Sequence, residues 1–414
     1  MKGATRVRPR ESNQGEETLT GVKVVELCES VAGSYCCKLL ADLGAEVIKI
    51  ENPEHGDRAR RRGPFLGDLP HPERSGLFLY LNTSKLGVTL NLENPDAAGI
   101  VKTLVGEADV FIEDNPPGRL AELGLGYAAL QAVNGRLIVV SITPFGQTGP
   151  YRDYKAYSLN LFHCGGEGYY TPAQAQFLDR PPLMAGKYVA DYECGISSAI
   201  ATLVALYWQR ITGMGQYIDI SKQQCLLALN LFDVDKYANE GFIVSRATRG
   251  FRLGGIMPCK DGYVQLVLYE EHQWKGLVEM MGSPDWAKDK RFEDHVSRTK
   301  HASQLNPLIS RWLMNQTKEE LYAQAKLFGV PIAPYHNIEE VVNSEQMKSR
   351  EFFATVDHPL TGGLQCPSVP YKFSKTPARL RAAPLLGQHN EEIYCQRLGY
   401  SRQDIPKMRE AGII

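Results

Sequence analysis

The strongest constraint on this chain is an alternation. Short apolar runs of β-branched residues are separated by amphipathic helical stretches, from Gly21 to Ser221. Val22, Val24, Val25 and Leu27 form a first strand, SVAGSYCCKLLADLGA a loop and helix stopped at Gly44, and Glu46–Glu51 a second strand. The pattern repeats with Gly87–Leu92 (strand), Pro95–Gly106 (helix), Asp109–Glu113 (strand), a helical stretch over Leu120–Val133, and the strand Leu137–Ile142. Strand, helix, strand within so few residues is a βαβ unit, and its repetition predicts a doubly wound, mainly parallel α/β sheet. Ligands of such sheets bind beyond the carboxyl ends of the strands. The loops Glu29–Ser34, Glu51–Arg62, Glu113–Arg119 and Thr143–Tyr157 are therefore the places to look for function.

Charge narrows the partners. The formal net charge is −1 over 414 residues, so no global field favours nucleic acid or an anionic membrane. A phosphate-bearing ligand must be met by a local cluster. Nine cysteines, odd in number and without a CxxC, predict reduced thiols, a cytoplasmic setting and no metal site. No stretch is expected to span a membrane. Residues 1–18 are polar and basic and are expected to form a flexible tail. The large domain is expected over 19–225. Past Ser221 the composition changes, and the DG turn at Asp261–Gly262 sits between short alternating strands. This predicts a smaller α+β domain over 226–340, with 341–414 returning to the large one.

Three groups of residues stand out for chemistry. In Ala190–Ser221, Asp191 precedes a long apolar helix that ends at Gly213 and Gly215, followed by a strand. Asp is a favoured N-cap, and capping is the plain reading. The small neighbours Ala190, Gly195 and Ser197 leave room above the carboxylate. The expected buried face holds Ile196, Ala199, Ile200, Leu203, Leu206 and Trp208. Second, Arg58, Arg60, Arg61 and Arg62 follow the second strand, either as a solvated face or as cations for phosphate. Third, Asn82 and Lys85 precede the next strand, and Asp114 and Asn115 follow the fourth.

Taken in series, these segments resemble the class III CoA-transferases, the formyl-CoA and carnitine CoA-transferase (CaiB/BaiF-type) family. EVIKIE, Gly56-Asp57, NTSK, GVTLNL, ADVFIEDNPPGRLAELGLGY, RLIVVSITPFGQTGP, Asp191–Ser221, FGVPIAPY and PLLGQHNEEI fall in the family's order from Gly21 onward. The resemblance implies that Asp191 is the acylated nucleophile. It places Lys155 and Tyr157 beside it as the Lys-x-Tyr pair, and Arg60 as the Arg after Gly-Asp. Ser30 and Val31 fall where the first loop approaches the thioester, and Leu90 and Leu123 where apolar residues flank CoA. Arg58, Arg61, Lys85, Asp114 and Asn115 complete the expected binding set. Gly254 and Gly255, in the run Arg249–Gly255, match either a flap over the acyl-aspartate or a plain turn. Val31 stands where the formyl-CoA branch has glutamine, Asn52 and Glu122 where it has arginines. These departures shift the expected phosphate contact toward Arg58–Arg62 and make the acyl pocket more apolar.

The activity so implied moves CoA from an acyl-CoA donor to a carboxylic acid through an aspartyl-acyl anhydride and an aspartyl-CoA thioester. No bound cofactor is expected; the CoA thioester is a substrate. Two interlocked chains are expected, as a homodimer or as a heteromer with a homologous subunit. Alternatives are a non-catalytic partner subunit and an acyl-CoA racemase. The second is disfavoured because Ala156, Tyr157 and Ser158 stand where the racemase branch has Gly-His-Asp. Val31 and the aromatic run His163–Tyr170 lean toward a bulky or aromatic acceptor such as benzylsuccinate, with succinyl-CoA as donor, in anaerobic aromatic degradation.

Overall fold

The structure, a computed structural model, describes residues 17–29, 31–173, 175, 177–249 and 252–414. Two compact units divide the chain. The first comprises residues 17–168, 184–239 and 351–414 of the described chain, the second 169–183 and 240–350.

The first unit follows the alternation read from the sequence. Strand β1 (Lys23–Leu27) leads to helix α1 (Val31–Ala41) and β2 (Glu46–Glu51). Then come α2 (Gly76–Leu81), β3 (Leu86–Thr89), α3 (Ala97–Gly106), β4 (Val110–Glu113), α4 (Arg119–Glu122), α5 (Tyr127–Val133) and β5 (Ile138–Thr143). After α6 (Ser158–Cys164), α7 (Val189–Thr212) feeds β6 (Tyr217–Ser221), and α8 (Lys222–Leu229) follows at once. The six strands form one parallel sheet in the order β3-β2-β1-β4-β5-β6. The order reverses between β1 and β4, and an open α/β sheet offers its ligand crevice at such a point.

Apolar residues of both sheet faces are buried in separate clusters. One gathers Val25, Ile50, Val88, Phe111 and Val139 with Val101, Leu130 and Tyr394. The other gathers Val24, Val47, Ile112 and Val140 with Cys36, Leu40, Cys194 and Leu206. Strands buried on both faces read as near-continuous apolar runs, which is why the sequence marked them so clearly. The edge strand β3 is covered by the returning chain. Asn390 Oδ1 accepts from the Thr89 amide at 2.9 Å, and its amide side chain donates to Thr89 Oγ1 at 2.7 Å. Tyr394 Oη donates to the Thr89 carbonyl at 2.6 Å. The motif PLLGQHN thus protects an otherwise open edge. The return also holds an antiparallel hairpin of two strands, Phe353–His358 and Gly362–Pro367.

The second unit is built on an antiparallel sheet of β7 (Gly255–Cys259), β8 (Gly262–Leu266) and β9 (Ile332–Pro334). Its core joins Val264, Leu266 and Ile332 to Trp274, Leu305, Ile309 and Leu321 of the flanking helices. Gly254 has φ +75°, and a Cβ there would lie 2.7 Å from the Leu266 carbonyl oxygen, so the turn into β7 requires glycine. Gly255, also at positive φ, begins the strand. Of the expected flap run, Gly250 and Phe251 lie outside the described residues.

Helix α7 corrects two sequence expectations. Its 24 residues are long and apolar enough to cross a membrane, contrary to the reading that no stretch is. Half of it is buried, however, as the crossover helix between β5 and β6. Its buried face matches the expected one only at Ala199 and Leu206. Ala190, Cys194, Gly195, Ser198, Thr202, Ala205 and Leu206 are buried, while Ile196, Ile200, Leu203 and Trp208 are exposed. The reason lies at Gly195, where a Cβ would come within 2.8 Å of the Ala32 carbonyl oxygen. Helices α1 and α7 approach too closely for large side chains between them, so small residues take the inner face.

Candidate active site

A crossover helix between parallel strands runs antiparallel to them, so the first turn of α7 lies at the carboxyl edge of the sheet. Asp191 sits in that turn as its third residue. It is not the cap: Tyr188 holds that position, at φ +60°. The amide hydrogens of Val189, Ala190 and Asp191 belong to the orphan donors of the helix start, and their dipole favours negative charge. Intrahelical bonding begins with Tyr192, whose amide donates to the Tyr188 carbonyl at 2.9 Å.

The Asp191 carboxylate is buried and has a partner the sequence did not reveal. Lys222 Nζ donates to Asp191 Oδ1 at 2.7 Å. Lys222 is the first residue of α8, immediately past the carboxyl end of β6. Burial pulls its ammonium toward neutrality, but the charges of Asp191 and Asp114 outweigh that and hold its pKa above the ordinary lysine value. The only sequence signal is position: a lysine directly after the strand YIDIS.

Asp114, whose charge acts on Lys222, follows β4 at its carboxyl end. Its Oδ1 accepts from the Glu29 amide at 2.9 Å, while Oδ2 is sealed from solvent with no hydrogen-bond partner. Burial pushes its carboxyl up to about 7, with the Lys222 charge opposing. Gly33 leaves the side of Asp114 open, since a Cβ there would lie 3.4 Å from Oδ2 and 2.4 Å from Cys28 Sγ. Asn115 is turned back on Glu113, donating to its Oε2 from both backbone (2.8 Å) and side chain (3.2 Å).

The other expected residues divide sharply. Val31 begins α1 and is buried; Ser30 lies outside the described residues. Ala156, between Lys155 and Tyr157, packs against a small cluster of Leu161, Ala190 and Leu226. The Lys-x-Tyr segment therefore lies beside the residue before Asp191, and Lys155 and Tyr157 are themselves exposed. Leu123 is half-buried at the end of α4. Arg62 donates to Tyr188 Oη at 3.1 Å, so the arginine turn reaches the start of α7. Arg58 and Arg61 are exposed, Arg58 in an ion pair with Glu29 at 2.8 Å.

Arg60, Lys85 and Leu90 are corrections. Arg60 is fully buried; it grips Glu51 through two bonds (2.7 and 2.9 Å), donates to Glu73 at 2.6 Å and to the Pro384 carbonyl at 3.1 Å, and lies over the Phe78 ring. Lys85 gives its donors to Glu26, the Ser34 carbonyl and Asn82. Both cations neutralise carboxylates from fully buried positions, away from any phosphate in solvent. Leu90 is packed into the sheet core. The space expected above Asp191 is also filled on the Gly195 side by α1.

A buried carboxylate held by a cation at a helix start, at the carboxyl edge of a doubly wound sheet, is suited to nucleophilic chemistry on an electrophilic carbonyl. The sequence model of CoA-transferase family III matches residues 19–390. The chain belongs to CoA-transferase family III. This CoA-transferase is 32% identical over 408 residues to a succinyl-CoA–D-citramalate CoA-transferase of Chloroflexus aurantiacus, covering 97% of this chain and 100% of that one. It is 30% identical to a formyl-CoA:oxalate CoA-transferase of Rhodopseudomonas palustris, covering 96% and 97%. A crystal structure of a CaiB/BaiF family protein from Brucella suis superposes with a TM-score of 0.82 at 30% identity, covering 92% of this chain and 99% of that one. The substrates of this CoA-transferase are accordingly an acyl-CoA and a carboxylic acid.

Proposed function

We propose that this CoA-transferase works through Asp191 as nucleophile. The observation behind this is the buried Asp191 carboxylate, held by Lys222 in the first turn of α7. The carboxylate attacks the donor thioester carbonyl, and CoA thiolate leaves from an aspartyl-acyl anhydride. The thiolate attacks the aspartyl carbonyl of that anhydride, releasing the donor acid and forming an aspartyl-CoA thioester. An acceptor carboxylate then reverses both steps, giving the new acyl-CoA and restoring Asp191. Each addition makes an oxyanion, which the orphan amides of the helix start and the Lys222 ammonium stabilise. Water must stay out, or the anhydride hydrolyses.

The proposed donor is succinyl-CoA, which the citramalate relative's name also carries. The proposed acceptor is an acid with a bulky or aromatic body, such as benzylsuccinate; support comes from Val31, buried at the start of α1, and from the aromatic run His163–Tyr170. Exposed Arg58 and Arg61, on the turn that Arg62 ties to Tyr188, are proposed to meet CoA phosphates. The outer face of α7, with Ile200, Val204, Tyr207 and Ile211 exposed, is proposed as the surface on which a second copy of the chain packs. A purified chain incubated with succinyl-CoA or formyl-CoA and separate acids (benzylsuccinate, citramalate, oxalate), with acyl-CoA products read by mass, tests the assignment. Transfer to citramalate or oxalate alone would reject the aromatic acceptor. No transfer from any donor would favour a non-catalytic partner subunit.

A further inference from the structure

The arginine turn rests on a foundation that the proposed chemistry does not use. Lys49, on β2, is fully buried, and four oxygens surround its ammonium. Glu26 Oε1 lies at 2.9 Å, the Cys28 carbonyl at 2.8 Å, Ser34 Oγ at 3.3 Å and Asp57 Oδ2 at 2.7 Å. One cation thus joins the end of β1, the first turn of α1 and the turn that follows β2. Burial works against its charge, but Asp57 and Glu26 outweigh that and hold its pKa well above the ordinary lysine value.

Asp57 divides its carboxylate between two tasks. Oδ2 faces Lys49, while Oδ1 accepts from the Ala59 amide at 2.7 Å and so caps the short 3₁₀ helix Arg58–Arg61. The Asp57 amide donates to Glu51 Oε2 at 3.0 Å. Gly56 before it has φ +59°, and a Cβ there would lie 2.7 Å from Arg60 Cδ. The turn therefore has two sides. Asp57, Ala59 and Arg60 are buried, while Arg58 and Arg61 are exposed. Residues i and i+3 of a 3₁₀ helix are eclipsed, so Arg58 and Arg61 share one face. Glu29 meets Arg58 there at 2.8 Å. Two guanidinium groups on one solvent-facing side suit a ligand group with more than one negative charge.

We infer that Asp57 is a positioning residue: tied to Lys49 by one oxygen and to the Ala59 amide by the other, it holds the 3₁₀ turn so that Arg58 and Arg61 together receive a phosphate of coenzyme A. The inference rests on the reading that these two arginines meet CoA phosphates.

Asp57→Asn tests it. An amide has one oxygen where the carboxylate has two, so it cannot serve both Lys49 and the Ala59 amide, and the turn loosens. Lys49 keeps Glu26 as its counter-charge. By charge alone the substitution removes a negative group near the arginines and would tighten phosphate binding, so a loss of affinity reports geometry. Binding of coenzyme A, and of pantetheine, which lacks the nucleotide and all its phosphates, is measured by calorimetry over a range of salt. The variant is expected to bind coenzyme A about ten-fold more weakly, the scale of losing one or two exposed charge contacts. The slope of log Kd against log salt should become shallower, and the Kd for pantetheine should hold. Unchanged or tighter binding of coenzyme A would overturn the role of Asp57. An equal loss for pantetheine with the salt slope intact would overturn it too. If Asp57→Asn does not fold, Asp57→Ser, which also caps but carries no charge, replaces it. Arg58→Ala with Arg61→Ala separates the two levels of argument. A double variant that binds coenzyme A as the wild type does would overturn the phosphate reading, and this inference with it. A double variant that binds it weakly, beside an unaffected Asp57→Asn, would overturn the role of Asp57 alone.

Discussion

Lys222 Nζ and Asp191 Oδ1 lie 2.7 Å apart, and both side chains are less than a tenth exposed. Asp191 lies in the first turn of α7 and Lys222 opens α8, so the pair ties together the two helices that flank β6. Removing one partner of a buried pair leaves the other charge uncompensated, at a cost of about 3–5 kcal/mol. Lys222→Met should therefore lower stability by about that amount. Lys222→Arg, which keeps a cation beside Asp191, should lose less stability than the Met variant. A Met variant with unchanged stability would show the pair to be incidental.

Asp191→Asn tests the chemistry. Tyr188, not Asp191, occupies the cap position, so no capping energy is at stake, but the variant leaves the buried Lys222 without its charged partner, at a cost of about 3–5 kcal/mol. Asn is far too weak a nucleophile to attack a thioester. Transfer should fall to background while acyl-CoA binding persists, and hydroxylamine with acyl-CoA should modify Asp191 in the wild type only. An active Asn variant with no adduct would remove Asp191 from the mechanism.

The arginine turn makes opposite predictions for neighbouring residues. Arg60→Ala leaves Glu51 and Glu73 without their shared cation and should destabilise by roughly 3–5 kcal/mol. Arg61 is exposed, and Arg61→Ala should change stability by no more than about 0.5 kcal/mol. If the exposed arginines meet phosphate, Arg58→Ala with Arg61→Ala should raise KM for acyl-CoA several-fold and weaken its salt dependence, with little change in kcat. Unchanged KM in that double variant would make the turn a solvated face.

These contrasts show where sequence reading worked and where it could not. Strands β1 to β5 were legible because they are buried on both faces and so are largely apolar, while β6 showed as an alternation, its outer residues exposed. Asp191 could be placed at the start of the long helix, though Gly195 serves helix contact rather than open space. Helix α7 is apolar nearly all round, so its periodicity could not say which stripe faces inward; α1 decided that through close approach. Arg60 looked like one member of a surface run, because Glu51 and Glu73 lie on separate segments. Lys222 was invisible for the same reason: its meaning depends on a carboxylate 31 positions earlier.

The outer stripe of α7 gives a prediction about assembly. Val204 and Tyr207 are each more than three-fifths exposed and lie with Ile200 and Ile211 along one side of the helix. Apolar patches of this kind mark contact surfaces. Val204→Glu with Tyr207→Glu should lower the mass measured by light scattering to that of a single chain. A wild type that already runs as a monomer, or a double variant with unchanged mass, would reject this face as the contact between copies.

The raised carboxyl of Asp114 has a stability consequence whose sign is fixed. Its pKa in the fold is about 7, pushed up by burial, and well above that of an aspartate in the unfolded chain. Below about pH 4 both states hold the proton and the group costs little. As pH rises toward 7, the unfolded chain ionises freely while the fold still resists, and stability is lost. Above the folded value the full penalty stands, about 4 kcal/mol. Asp114→Asn never ionises and keeps the bond from the Glu29 amide, so it escapes this penalty. In chemical denaturation the variant should be more stable than wild type at about pH 9, and the gap should shrink steadily toward about pH 5. The comparison needs no substrate, so it probes the burial of Asp114 apart from any role in turnover. Parallel stability profiles for the two proteins would show that the carboxylate ionises without cost, and that solvent reaches it.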